Sequence, residues 1–80
     1  MRIHTSPQPD AIVIATACKY LNFGPQSISY LVDCIRADGV RFPTNHNDAT
    51  DEFERLGFKL RRVYNAHGSV LRTYVEGKQP

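Results

Sequence analysis

Cysteine is scarce in this chain of 80 residues, which has only Cys18 and Cys34. Each falls inside a run of periodic apolar residues, where a free thiol packs as a small hydrophobe. Two buried free thiols are the expectation, a disulfide between them the alternative, and free thiols fit a reducing, cytoplasmic setting. Paired Cys/His spacings of the zinc-site kind are missing, and His4, His46 and His67 are scattered, so no metal is expected. Long apolar runs are missing too. The stretch AIVIATAC (11–18) is short, abuts Asp10 and has only Arg2 as a charge ahead of it. It is therefore read as part of a helix and not as a secretion leader. Nothing approaches the ~20 apolar residues of a membrane span. A Gly-rich phosphate loop and a nucleophile–base arrangement are both absent, so neither an enzyme nor a cofactor is expected. The four Tyr and four Phe are unclustered, which argues against a platform for stacking single-stranded bases.

What the sequence does have is an uneven distribution of charge. The net charge of +2 says little. Residues 44–57, however, carry Asp48, Asp51, Glu52 and Glu54 against Arg55 alone. Residues 58–75 then carry Lys59, Arg61, Arg62 and Arg72 with no acid. A basic C-terminal segment thus follows an acidic one, and an anion would go to the basic segment.

Apolar periodicity divides the chain into four elements. Residues 1–9, with two prolines, are read as a flexible arm with a short strand at Arg2–Thr5. Asp10 is taken as the N-cap of a helix to about Asn22. The apolar set of that helix is broad enough to predict the most buried of the helices. The break NFGP (22–25) ends it, and Pro25 suits the first turn of a second helix spanning 26–37. Ile28, Leu31, Val32 and Ile35 give this helix one buried face. Gly39 stops it. A third helix spans 44–56, with Ala49, Phe53 and Leu56 inward and Gly57 as its stop. FKLRRVY (58–64) and VLRTYVE (70–76) are strand-like runs joined by NAHGS (65–69), which predicts a hairpin with Gly68 at a positive φ. Residues 77–80 are read as a frayed tail. The expected fold is α+β, with three helices followed by a C-terminal β-hairpin in one domain over 10–76.

On GPQSIS (24–29), RLGFKL (55–60) and NAHGS (65–69), the chain resembles the small winged helix-turn-helix proteins of prophages and bacterial mobile elements. That resemblance implies a sequence-specific double-stranded DNA-binding protein, a transcriptional regulator acting as a homodimer on a palindromic site. It makes the helix before the wing, 44–56, the recognition helix. The long link DGVRFPTN (38–45) and the acidity of the third helix depart from the pattern. CKYLNFGPQSISYL (18–31) is also similar to Cro-like phage repressors, with Asn22 in the left-handed turn position. That alignment makes 26–37 the reading helix instead.

The candidate DNA-binding residues follow from both readings. Thr44, Asn45 and Asn47 at the start of the third helix are of base-reading types. Gln26, Ser29 and Tyr30 on the second helix are backbone contacts in the winged alignment and base readers in the other. Lys59, Arg61, Arg62, His67 and Arg72 of the hairpin, with Arg41 from the link, are phosphate contacts. Alternation along the strand puts Lys59 and Arg61 on one face and Arg62 on the other. The alternative expectation is a protein-binding inhibitor or adaptor that meets a basic partner through the acidic third helix.

Overall fold

The computed structural model describes residues 8–79. Its order is α1 (Asp10–Leu21), β1 (Gln26–Ser27), α2 (Ile28–Ala37), α3 (His46–Arg55), β2 (Phe58–Tyr64) and β3 (Val70–Lys78). The fold is α+β: three helices and an antiparallel sheet of order β1-β3-β2, a layout compatible with a winged-helix arrangement. Residues 1–7, where the strand at Arg2–Thr5 was expected, lie outside the described residues. Gln8, assigned to the loose arm, is docked: its side chain donates to the Arg41 carbonyl and accepts from the Arg41 amide.

Helix α2 supplies more of the core than any other element. Ile28, Leu31, Val32 and Ile35 are all buried, and each such side chain contributes on the order of 1.5–3 kcal/mol when fully removed from water. Phe53 of α3 sits at the centre, with ring centroids 4.5 Å from Phe42 and 5.7 Å from Phe58. Helix α1 overturns its expectation. It buries only Val13 and Ala17, because it meets α2 and β3 with one narrow side and leaves Ile12 half exposed. Cys18 and Cys34 are free, as expected, but half-buried.

The element boundaries differ in places where backbone partners override local pattern. Pro9, not Asp10, is the N-cap of α1, and Asp10 is its first residue, without a side-chain cap. Gln26 and Ser27 are not helical: they pair with Val75 and Tyr74 of β3, and Ser27 then caps α2 by accepting from the Tyr30 amide. This strand separates α1 from α2, so the compact turn of the Cro-like alignment is absent. Asn22 is right-handed (φ −60°), and the positive φ belongs to Gly24. Helix α3 starts at His46, two residues later than expected. Gly57 ends it with φ 89°, its amide on the Glu54 carbonyl. The expected tail is partly strand, for β3 runs to Lys78 and the Gln79 amide bonds the Gly57 carbonyl.

Two ion-pair clusters tie the helix ends together. Arg55 forks onto Asp10 (3.1 and 3.0 Å) and also onto Glu52, joining the start of α1 to the end of α3. Its hydrogen bonds hold both carboxyls below the usual range. At the other end of α1, Lys19 and the Tyr20 hydroxyl both bond Asp38. Lys19 keeps the Asp38 carboxyl low, and Asp38 raises Lys19 and Tyr20.

Candidate nucleic-acid interface

The first turn of α3 owes its position to Asn45. Its carboxamide oxygen accepts from the amides of Asn47 (2.9 Å) and Asp48 (3.2 Å), two of the amides that a helix start leaves without internal partners. The Asn45 oxygen is thereby spent on the cap and is not free to read a base. Thr44 and Asn47 remain exposed on either side of it. His46 stands where three crevices meet. One lies between α2 and α3 beside Ser29, Asp33 and Thr44. Another lies between α3 and the hairpin beside Asn47, Arg62 and Val70. The last lies between the start of α2 and β3, beside Ser27, Ser29, Arg72 and Thr73.

The hairpin divides its cations between two faces, as alternation requires. Arg62 lies opposite Thr73, and Leu60 opposite the fully buried Val75, so all four face the helices. Arg62 stands 3.9 Å from Glu54 and lines the cleft with Asn47 and Asp51. Lys59 and Arg61 take the outer face, where one carboxylate serves both: Glu76 lies 2.9 Å from Arg61 and 3.9 Å from Lys59. Arg61 also lies over the Tyr74 ring at 4.9 Å. Arg72, opposite Val63, shares that outer face, and among the described residues it makes no ion pair. The wing is therefore less bare a cation surface than the charge count promised, because Glu76 closes back over it. His67 is exposed at the tip, where Asn65 shapes the turn by accepting from the His67 and Ser69 amides.

These placements sort the expected residues. Ser29, Thr44, Asn47, Arg62 and Arg72 come together around His46. Arg41 does not join them: it borders a cleft with Gln8, Asp10, Glu52 and Arg55 at the far end of α3. Gln26 is held in the sheet, its side chain on the Tyr20 carbonyl. Tyr30 is exposed but lines none of the crevices at His46. It contacts Cys34, which raises the Tyr30 pKa, and Cys34 in turn lies within electrostatic reach of Tyr20 on α1. Nothing matches in the comparisons: no family model, no curated protein and no solved structure aligns with this chain. The site must therefore be judged on its own chemistry.

That chemistry is mixed. Two helix starts converge on His46, and a helix start carries positive partial charge. Asp48 and Asp51 are nevertheless exposed on the outward side of α3 and make no ion pair among the described residues. Among the described residues, no three His, Cys, Asp or Glu side chains group as metal ligands would. No helix there is long and apolar enough to cross a membrane. Sequence reasoning gave no individual role to His46 or Thr73. Ser27 carried a signal, as a small hydroxyl residue directly ahead of the Ile28 periodicity. His46 and Thr73 matter only through the chain segments that fold against them.

Proposed function

We propose that this chain is a winged helix-turn-helix protein that binds double-stranded DNA through the first turns of α2 and α3 and the adjoining hairpin. The observation that carries the reading is the convergence on His46. Asn47, with base-reading chemistry, shares one cleft with the cation Arg62, and Thr44 lines the adjoining crevice on the other side of His46 with Ser29. Element order and sheet order support it, since a strand ahead of α2 and a hairpin after α3 are what a winged domain requires.

In this reading α3 is the recognition helix and approaches the major groove with its start rather than its length. Asn47 suits bidentate bonding to adenine, and Thr44 suits a thymine methyl or a phosphate. Asp48 and Asp51 set the depth, because a helix laid flat in the groove would bring both carboxylates against phosphates. Arg62 and Arg72 meet the flanking backbone, and Tyr30, which lines none of the three crevices at His46, stays outside. Two copies on a palindromic site would double the few base contacts that one small module makes.

The test is binding to a mixed-sequence duplex pool at about 50 and 200 mM salt. Wild type should bind more weakly at high salt. Arg62→Ala should lower the slope of log affinity against log salt by about 0.9, the value of one lost phosphate contact. Absence of salt-sensitive binding to any duplex removes the proposal. A second reading, a protein-binding adaptor, is favoured by Asp51, which makes no ion pair among the described residues and lines a cleft with the exposed Val70. It predicts instead that Asp51→Asn abolishes capture of a basic partner and leaves DNA affinity unchanged.

A further inference from the structure

Thr73 is 2% exposed, and its hydroxyl is the one buried side-chain polar atom among the described residues left without a hydrogen bond. Buried hydroxyls are nearly always bonded, and each exception calls for an explanation. Thr73 lies opposite Arg62 and two residues before the core residue Val75. Its side chain is therefore on the helix-facing side of the sheet. There it lines a pocket of about 140 Å³ with Ser27, Ile28, Ser29 and His46.

Two helix starts form the wall of this pocket. Ser27 to Ser29 are the cap and first residues of α2, and His46 is the first residue of α3. The positive ends of both helices act on this half-open space, an arrangement suited to an anion. Among the described residues no carboxylate lines it; Asp33 belongs to the adjoining crevice. Arg72 is rooted on the opposite side of the strand but stands at the rim and adds positive charge nearby.

We propose that this pocket seats one tetrahedral oxyanion, a phosphate group, with the Thr73 hydroxyl donating the hydrogen bond it otherwise lacks. The His46 imidazole and the Ser29 hydroxyl are further side-chain donors at hand. The phosphate comes from free solution or from a nucleic-acid backbone, and the second source rests on the DNA-binding reading above. Its fit is to the group and not to the base, so this contact positions the chain without reading sequence.

The experiment is an amide-resolved NMR titration of the whole chain with inorganic phosphate, against chloride at matched ionic strength. The expected result is saturable shifts at Ile28, Ser29, His46 and Thr73. Thr73→Val should keep the fold, since a methyl of the same shape replaces an unbonded hydroxyl. It should bind phosphate roughly tenfold more weakly, the loss of one hydrogen bond to a charged group. Wild-type affinity in Thr73→Val overturns the proposal, as do unsaturable shifts spread over the surface lysines and arginines. A parallel titration with duplex DNA separates the sources. Shifts at the same four amides identify a phosphodiester as the natural occupant. Silence with DNA, with phosphate binding intact, leaves a free-phosphate seat and removes the DNA reading alone.

Discussion

If α3 meets DNA by its first turn, Asp51 is a brake on affinity, and removing its charge should strengthen binding. Asp51 is exposed, lines the cleft with Asn47 and Arg62, and makes no ion pair among the described residues. The substitution Asp51→Asn therefore breaks no visible contact, and a surface change of that kind alters stability by no more than about 0.5 kcal/mol. Its effect on DNA is electrostatic. A unit charge about 8 Å from a phosphate interacts at ~0.5 kcal/mol in bulk water and ~2 kcal/mol at the lower dielectric of a protein surface. Physiological salt cuts this to roughly a third. Summed over two nearby phosphates, the relief is about 0.5–1 kcal/mol, or a two- to fivefold gain in affinity. Fluorescence anisotropy with a labelled duplex measures it, and the gain should shrink at higher salt. An affinity that falls, or a gain that does not depend on salt, would refute the end-on geometry.

Other expectations follow from the packing. Asn45→Ala removes the cap of α3 and should cost about 1 kcal/mol, lowering the thermal midpoint by roughly 4–8 °C for a domain of this size. Phe53→Ala, beneath Phe42 and Phe58, should cost about 3–5 kcal/mol and leave much of the chain unfolded in a urea titration. Asp10 and Glu52 have pKa values lowered by Arg55. Lowered carboxyl values mean stabilisation that is present above their unfolded values, about 3.9 and 4.3, and lost as pH falls through the folded ones. Denaturation of wild type and Arg55→Gln should thus show a stability gap at neutral pH that narrows as pH falls below about 4.

Much of the fold was legible because local chemistry and tertiary structure agree. FKLRRVY and VLRTYVE are β-branched and aromatic on either side of a Gly turn, and they form β2 and β3. Gly39 and Gly57 stop their helices at positive φ because a side chain there would be strained. Strand β1 was not legible, since two residues show no periodicity and only pairing with β3, distant in sequence, makes them a strand. The shallow burial of α1 was hidden for a related reason: small apolar residues all round a helix do not say which neighbours arrive. The split of Arg61 from Arg62 could be read from alternation alone. Glu76 beside Arg61 could not, because that pairing depends on a register shifted at Lys59/Leu60. Gln26, Tyr30 and Arg41 have suitable side chains for DNA, and the fold carries each to another surface.

The most direct test of the central claim is the footprint of duplex DNA on the folded chain, read amide by amide at low salt. The account predicts shifts at Ser29, Thr44, His46, Asn47, Arg62 and Arg72. It predicts silence at Gln8, Asp10 and Arg41, which border the opposite cleft. Shifts centred on Tyr30, or on Arg41 with the hairpin unmoved, would contradict it.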